Sequence, residues 1–339
     1  MIKENFSLKQ YNTFGIDAEA QYFSTFSSTE ELEELLEYKS SAILPIPNLI
    51  LGGGSNILFT KKFKGLVLKN EIKGIKKISE DEKYVYVKAG AGENWHQLVM
   101  YCVHNNLAGM ENLSLIPGNV GASPLQNIGA YGVEIKDIFY ELEAYHLTEK
   151  KIIKFGLNDC AFGYRESVFK RKFKGEFAII NVTYKLNKTP VFHTSYGAIE
   201  QELIAMQIKE LNINAISQAV INIRRSKLPD PAIIGNAGSF FKNPEIDIVK
   251  FERLKIAFPG IIGYLLINGQ IKLAAGWLIE QCGWKGYRKG DAGCHAKQAL
   301  VLINYGNAKG DEVVALSEEI IVSVQNKFDV FLEREVNII

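Results

Sequence analysis

One stretch of this chain has the composition of a ligand-binding loop and carries no charge. Residues 112–133 contain no Lys, Arg, Asp or Glu, although charged residues make up 23% of the sequence. The stretch has four glycines, Gly118, Gly121, Gly129 and Gly132, and four amides, Asn112, Asn119, Gln126 and Asn127. Glycine lets backbone N–H groups approach a ligand closely, and clustered N–H groups form anion-binding concavities. This stretch, called the uncharged run below, is a candidate site for a large polar ligand. A tightly packed buried loop is the alternative.

A second glycine-rich loop follows a predicted buried strand at 48–51. It reads Gly52-Gly-Gly-Ser-Asn56, but Ile57 stands where the GxGxxG dinucleotide fingerprint requires its third glycine. The loop also lacks a Walker lysine. A phosphate here would be held by backbone N–H groups and by Ser55 and Asn56. An ordinary turn after a strand is the alternative interpretation.

The chain that must position these loops has 339 residues, 47% hydrophobic content and a net charge of +1. This length allows two or three domains, and the balanced charge gives no reason to expect nucleic acid or an anionic membrane as partner. The N-terminus has no apolar signal segment, so we expect a cytoplasmic protein. Four scattered cysteines favour reduced thiols, and the weak Cys282, Cys294, His295 pattern does not predict a metal.

Local signals predict a mixed α+β chain. Ser28-Thr-Glu-Glu31 is a capping box, and Asn94 can cap a helix that leads to the uncharged run. Further helices are predicted over 213–224, over 273–282 with Gly283 after its end, and over 311–328. Strands are predicted at 48–51, 66–68, 84–87, 139–147, 177–186, 299–303 and 330–339.

Eight motifs in a fixed order carry a resemblance to a known family. They lie at 12–17, 51–56, 116–121, 126–133, 162–167, 235–244, 274–279 and 332–335. Together the motifs resemble the UDP-N-acetylenolpyruvoylglucosamine reductase (MurB) family over essentially the whole chain. Several independent motifs in register make chance similarity improbable.

The resemblance implies a non-Rossmann FAD-binding fold of the vanillyl-alcohol oxidase type with two α+β subdomains, followed by an α+β substrate domain. The implied boundaries are 1–72, joined by a terminal strand at 330–339, for the first subdomain and 73–215 for the second. The substrate domain would span 216–329. The missing GxGxxG fingerprint agrees with this fold class.

The resemblance also implies a reaction. NADPH reduces FAD, and flavin N5 then passes hydride to C3 of a UDP-linked enolpyruvyl sugar, giving UDP-N-acetylmuramate for peptidoglycan. Ser239 matches the family's proton donor to C2, Arg165 the residue that engages the substrate carboxylate, and Glu335 the third catalytic residue. These three should converge on the N5 face of the flavin. A protonated Glu335, favoured by a nearby second carboxylate such as Glu333, is a further hypothesis.

Binding residues follow from the same motifs. The FAD-binding set is Gly52, Gly53, Gly54, Ser55, Asn56, Pro117, Gly118, Asn119, Gly121, Ser123, Asn127, Gly129 and Tyr131. The substrate set is Tyr196, on a loop that closes over the substrate in one subtype of the family, with Lys227, Asn243 and Gln298. Ala122-Ser123 departs from members that have two hydroxyls there, which leaves open the group that contacts the flavin. We expect a monomer.

Two other functions remain open at this stage. An FAD-dependent alcohol oxidase or dehydrogenase of the same superfamily would need a base in place of a carboxylate clamp. A nucleotide-sugar-binding protein without catalysis would take up no FAD.

Overall fold

The computed structural model describes residues 1–40 and 46–339, which form an α+β chain with two compact units. The first unit comprises residues 1–6, 20–54 and 64–226. The second comprises 7–19, 55–63 and 227–339. Each unit therefore draws on separate parts of the sequence.

The helices begin where the local sequence signals place them. Asn94 Oδ1 accepts a hydrogen bond from Gln97 N at 3.0 Å, and Ser28 Oγ accepts one from Glu31 N at 3.2 Å. Gly283 follows its helix with φ at +84°, as the C-terminal glycine signal predicts. The α-helices are α1 Thr29–Ser40, α2 Trp95–His104, α3 Ile199–Ala205, α4 Ile213–Lys227, α5 Ile248–Ala257, α6 Ala275–Gln281 and α7 Gly310–Phe328.

The strands include each predicted internal strand, with ends that move by a few residues. They are β1 Lys3–Ser7, β2 Glu19–Phe26, β3 Asn48–Leu51, β4 Ile57–Leu58, β5 Phe63–Asn70, β6 Ile75–Glu80, β7 Tyr84–Gly90, β8 Gly129–Ala130, β9 Val133–Glu134, β10 Phe139–His146, β11 Lys151–Gly156, β12 Phe177–Asn187, β13 Gly235–Ser239, β14 Glu245–Ile246, β15 Gly263–Leu265, β16 Ile271–Leu273, β17 Arg288–Lys289, β18 Ala292–Cys294, β19 Val301–Asn304 and β20 Asn337–Ile338.

The first unit is built around a five-stranded antiparallel sheet in the order β11-β10-β12-β7-β6. Strand β7 alternates buried and partly exposed residues, and β12 is buried over most of its length. Helix α2 adds the buried side chains Trp95, Leu98 and Val99 to the same core. A four-stranded sheet in the order β1-β2-β5-β3 packs with α1 around Phe26, Leu32 and other residues. Helix α4 buries its apolar face against α3, which keeps residues 213–226 in this unit.

The second unit contains a four-stranded sheet in the order β13-β19-β18-β17 and a three-stranded sheet in the order β14-β16-β15. Helix α7 packs on β18, β19 and α6 through a stripe of buried residues. The stripe comprises Val313, Leu316, Ile320 and Val324, which recur at helical spacing. The predicted amphipathic helix is therefore confirmed.

The predicted terminal strand at 330–339 is wrong for most of its length. Only Asn337–Ile338 forms a strand, and it pairs in parallel with Ile57–Leu58. Residues 333–335 run beside 240–242, where Arg334 and Phe241 form a single bridge. The segment nevertheless buries apolar side chains, because Leu332 and Val336 are buried while Glu333 is exposed. The pairing ends early because each partner segment is only two or three residues long.

Candidate active site

The two glycine-rich loops of the first unit lie directly against each other. A Cβ built on Gly53 would stand 2.8 Å from Asn119 Oδ1 and 2.9 Å from Gly118 Cα. Real Cβ atoms almost never approach so closely, so only glycine allows this contact. On the neighbouring Gly52 a Cβ would meet nothing nearer than 3.7 Å. The structure thus joins two loops that the sequence identified separately.

Backbone donors are exposed to a ligand where these loops meet. The N–H groups of Gly52, Gly53, Gly118 and Asn119 have no hydrogen-bond partner among residues 1–40 and 46–339. All four residues are only partly exposed. Partly buried N–H groups need an acceptor, and several together suit the oxygens of a phosphate or diphosphate. These four residues, called the glycine cradle below, fit the diphosphate of FAD.

Ser123 of the uncharged run is used within the protein. Its hydroxyl donates to Val120 O at 2.7 Å and lies 2.9 Å from the hydroxyl of Tyr184. The side chain is 1% exposed. We therefore assign Ser123 to holding the loop, since its backbone N–H is also used, in a bond to Val120 O at 3.0 Å.

Asn127 is likewise saturated by protein partners. Its amide donates to Glu134 Oε2 at 3.1 Å and Gly163 O at 3.0 Å, and its Oδ1 accepts from Lys136 N at 3.0 Å. The residue is fully buried, with φ at +44°. Three hydrogen bonds compensate for this unusual backbone conformation. Asn127 therefore shapes the uncharged run, and its amide has no donor left for the flavin.

Arg165 lies beside the uncharged run. Its Nη2 donates to Gly129 O at 2.6 Å, and its backbone has φ at +54°. A Cβ on Gly129 would stand 3.1 Å from Arg165 Nη1. The guanidinium also lies over the ring of Tyr164, 5.4 Å from its centroid. The loop thus orients a fixed positive charge at the run, as a carboxylate-binding role requires.

Tyr131 and Tyr196 also meet in the first unit. A Cβ on Gly132 would stand 3.4 Å from Tyr196 Cβ, and one on Gly197 would stand 3.6 Å from the Tyr131 ring. Tyr196 is 48% exposed, whereas burial raises the pKa of the Tyr131 hydroxyl above its ordinary value. The structure therefore brings a predicted cofactor residue and a predicted substrate residue together.

In the second unit, backbone pairing brings Glu335 next to Ser239. Glu335 N donates to Phe240 O at 2.8 Å, and Ser239 is paired with Val301 of β19. The amide of Asn56 donates to Glu335 O at 3.3 Å. Ser239 and Glu335 are 96 positions apart in the sequence (335 minus 239). They are close in the structure because Phe240, the residue after Ser239, is bonded to Glu335 through the backbone.

The nearby carboxylate of Glu333 is paired with a lysine. Lys242 is 8% exposed, and its Nζ lies 2.6 Å from Glu333 Oε1. The hypothesis of a protonated Glu335 relied on a neighbouring negative charge. Lys242 offsets the charge of Glu333, so Glu333 does not provide that repulsion.

Asn243 and Gln298 both contact the first turn of α6. Asn243 Oδ1 accepts a hydrogen bond from Ala275 N at 3.0 Å. A Cβ on Gly276 would stand 2.7 Å from Gln298 Oε1. These two predicted substrate residues therefore lie close together, while Lys227 is exposed as the last residue of α4.

Arg224 is a candidate that the sequence did not reveal. Its Nε donates to Leu115 O at 3.2 Å, at the uncharged run. Burial lowers the pKa of its guanidinium, and the charge of Arg224 opposes the rise in the pKa of Tyr131. No carboxylate of the described residues pairs with Arg224. A partly buried cation without a carboxylate favours an anionic ligand. The only signal for this residue in the sequence is that two arginines, Arg224 and Arg225, stand next to each other.

Comparison with known proteins now identifies the family. Residues 20–151 match the FAD binding domain family, and residues 230–339 match the C-terminal domain of UDP-N-acetylenolpyruvoylglucosamine reductase. A UDP-N-acetylenolpyruvoylglucosamine reductase of Amoebophilus asiaticus is 52% identical over 338 residues, covering 100% of this chain and 99% of the relative. The chain belongs to the UDP-N-acetylenolpyruvoylglucosamine reductase family. The family resemblance in the motifs is thereby confirmed.

Other UDP-N-acetylenolpyruvoylglucosamine reductases agree. The Flavobacterium johnsoniae enzyme is 48% identical and the Pseudomonas putida enzyme 47% identical, and these matches cover 100% and 99% of this chain and 99% and 98% of the relatives. The solved MurB structure from Thermus caldophilus has a TM-score of 0.66 at 24% identity, covering 100% of this chain and 98% of that chain. This last similarity supports the fold alone.

The chain is accordingly an FAD-dependent oxidoreductase with an α+β FAD-binding fold and a C-terminal domain. The sequence-based predictions of fold class, enzyme class and FAD are confirmed. None of the helices in the described part of the chain is long and apolar enough to cross a bilayer. In the weak Cys282, Cys294, His295 pattern, the thiol of Cys294 is used within the protein, because it donates to Ala299 O at 3.0 Å.

Proposed function

We propose that this chain reduces UDP-N-acetylenolpyruvoylglucosamine to UDP-N-acetylmuramate for peptidoglycan synthesis, with NADPH as reductant and FAD as carrier. The observation that carries the proposal is the backbone pairing that brings Glu335 next to Ser239. The names of full-length relatives at 47–52% identity support the same reaction. The glycine cradle supports FAD as the bound cofactor.

The cradle residues Gly52, Gly53, Gly118 and Asn119 would hold the diphosphate of FAD through their free N–H groups. FAD, when bound, supplies the hydride carrier between NADPH and C3 of the enolpyruvyl group. The uncharged run suits this role because neutral donors hold the cofactor without adding a fixed charge beside the ring. The remaining chemistry belongs to charged and hydroxyl side chains.

The reduction adds one hydride to C3 and one proton to C2, and negative charge develops toward the substrate carboxylate between these events. Arg165 binds that carboxylate and stabilises the developing charge. Ser239 donates the proton to C2, and solvent returns a proton to its hydroxyl. Glu335, in its protonated form, donates a hydrogen bond to the same intermediate. Convergence of Arg165 with Ser239 and Glu335 stays a prediction, which a crystal structure with FAD and sugar nucleotide would test.

An anaerobic experiment tests the overall function. Purified protein should contain FAD and be yellow, with the usual flavin absorbance band at about 450 nm. NADPH should bleach this band. The band should return only when the enolpyruvyl sugar nucleotide is added. Recovery with air at a comparable rate would instead indicate an oxidase. Protein that takes up no FAD would indicate a binding protein without catalysis.

Ser239→Ala separates the two half-reactions. Reduction by NADPH should proceed at the wild-type rate, whereas reoxidation by the sugar nucleotide should slow by about 10²- to 10⁴-fold because general acid catalysis is lost. Ser323→Ala is a matched control, since Ser323, on α7, accepts a hydrogen bond from Trp284 and has no proposed role. Equal slowing of both half-reactions in Ser239→Ala would contradict proton donation by this residue.

The finer parts of the proposal concern substrate contacts and the state of the protein. Tyr196, Lys227, Asn243 and Gln298 are proposed to contact the sugar nucleotide. We also propose a cytoplasmic monomer without nucleic-acid or membrane partners, built from the three domains implied by the motifs. A reducing compartment agrees with the four free thiols. Light scattering of the holoenzyme would test the monomer, since a mass near 76 kDa (twice 38.0 kDa) would contradict it.

A further inference from the structure

A single buried amide joins two loops of the first unit. Asn112 is 1% exposed, and its Nδ2 donates to Tyr131 O at 2.9 Å and to His193 O at 2.8 Å. Both acceptors are carbonyls, so only the NH₂ side of the amide can face them. Its Oδ1 has no hydrogen-bond partner among the described residues. The position therefore requires two donors on one small side chain.

The second of these loops, residues 188–198, has the character of a cover. It connects β12 to α3 and carries three large apolar side chains at the surface. Val191 is 61% exposed, Phe192 37% and Tyr196 48%. Apolar side chains concentrated on one short loop favour contact with another molecule. His193, which Asn112 binds, lies in the middle of this loop.

The loop also fits closely on the turn that contains Tyr131. Gly132 leaves room for Tyr196, and Gly197 leaves room for the Tyr131 ring, at 3.4 Å and 3.6 Å from their built Cβ positions. Tyr131 has φ at +50°, and Gly132 has φ at +83°. The carbonyl of Tyr131 that Asn112 binds thus belongs to the same turn on which Tyr196 rests.

We propose that Asn112 is a positioning residue for substrate binding. It fixes His193 against the Tyr131 turn, so that the 188–198 loop presents Tyr196 to the sugar nucleotide in a preformed position. Asn112 acts through the loop and does not touch the substrate. The proposal rests on the proposed function, because it assigns the loop to the sugar nucleotide. Loss of the tether should weaken substrate binding by allowing the loop more conformations.

Asn112→Ala removes both hydrogen bonds, and Asn112→Leu removes them while keeping the branching at Cγ and the number of side-chain heavy atoms. Asn70→Ala is the matched control. Asn70 is also a buried asparagine, at 4% exposed, with two backbone hydrogen bonds, to Ile179 O and from Ile72 N. The holoenzymes are compared by KM for UDP-N-acetylenolpyruvoylglucosamine, by the rate of FAD reduction by NADPH, and by limited chymotryptic cleavage after Phe192 and Tyr196.

Both Asn112 variants should raise KM by about tenfold, a loss of about 1.4 kcal/mol, and should change KM by a larger factor than the rate of FAD reduction. Cleavage after Phe192 and Tyr196 should also accelerate about tenfold, and Asn70→Ala should change neither quantity beyond about twofold. Unchanged cleavage in both Asn112 variants would overturn the tether. Faster cleavage with an unchanged KM would overturn the role of the loop in substrate binding. Wild-type protein that does not reduce the sugar nucleotide would refute the proposed function, while the cleavage result would still decide the tether.

Discussion

Gly53→Ala offers a sharp test of the glycine cradle. The new methyl group would lie 2.8 Å from Asn119 Oδ1, 2.9 Å from Gly118 Cα and 3.2 Å from Gly118 C. Two of these atoms are backbone, so the side chain of Asn119 cannot relieve the contact by rotating. Gly53 has no positive φ, and the substitution therefore acts through space and not through backbone strain. The two loops must move apart by several tenths of an ångström.

That movement separates N–H groups that must reach one diphosphate together. Inserting a methyl group into a tightly packed site typically costs about 1–3 kcal/mol. If the bound state bears this cost, the affinity for FAD falls by about 5- to 150-fold, since 1.4 kcal/mol corresponds to about tenfold. The same steric contact also destabilises the folded apoprotein, which lowers its melting temperature.

Gly52→Ala is the matched control. Its methyl group would meet only Asn119 Cβ at 3.7 Å and Ala122 Cβ at 3.9 Å, which are ordinary contacts. We expect its affinity for FAD to fall less than that of Gly53→Ala, because its methyl group, its chain neighbours aside, would meet no described protein atom closer than 3.7 Å. Apoprotein is titrated with FAD, and quenching of flavin fluorescence gives the dissociation constant for each variant.

Two results would refute the reasoning. Gly53→Ala that binds FAD as tightly as the wild type would mean that the cradle does not hold the cofactor. Equal losses in Gly52→Ala and Gly53→Ala would mean that the close approach of Gly53 to Gly118 is not the cause. A lower melting temperature of Gly53→Ala apoprotein with unchanged FAD affinity would limit the contact to a structural role.

Three further predictions concern Glu111, the cysteines and Glu333. Burial raises the pKa of the Glu111 carboxyl above 4.5, so the folded state favours its protonated form. The free energy of unfolding should therefore fall as pH rises from about 4.5 through the raised pKa. Urea unfolding of Glu111→Gln at several pH values should lack this fall, and a pH profile like that of the wild type would contradict the prediction. Burial raises the pKa of the Cys102, Cys160 and Cys294 thiols to about 12. Ellman's reagent should therefore titrate only the partly exposed Cys282 in the native protein. Rapid reaction of more than one thiol would argue against this packing. Glu333→Ala should destabilise the protein by about 1 kcal/mol at low salt and less at high salt, because it removes the carboxylate from Lys242; salt-independent stability loss in chemical denaturation would point to another cause.

Local elements could be predicted because their signals are local. The cap at Asn94, the capping box at Ser28 and the C-terminal Gly283 each act within four residues, and the structure confirms all three helix ends. The terminal strand was wrong because strand length depends on the partner as well as on alternation. Its partners in the described part of the chain are the short segments Ile57–Leu58 and 240–242.

The candidate site was found by motif and not by physical pattern. Ser239 and Glu335 are an ordinary serine and glutamate in the sequence, and only the pairing of 240 with 335 makes them neighbours. Arg224 and Asn112 were missed because burial and hydrogen-bond partners decide their importance. Ser123 and Asn127 were expected at the flavin, but their side chains are satisfied by the protein.

The sequence by itself determined that residues 112–133 are free of charge and rich in glycine, and that a second glycine loop follows a strand. These properties define which chemistry the loops can perform. The tertiary structure decided that Gly53, and not Gly52, lies against Gly118, and that one amide of Asn112 holds two loops. Such choices depend on distances of a few tenths of an ångström between segments far apart in the chain, which composition and spacing do not encode.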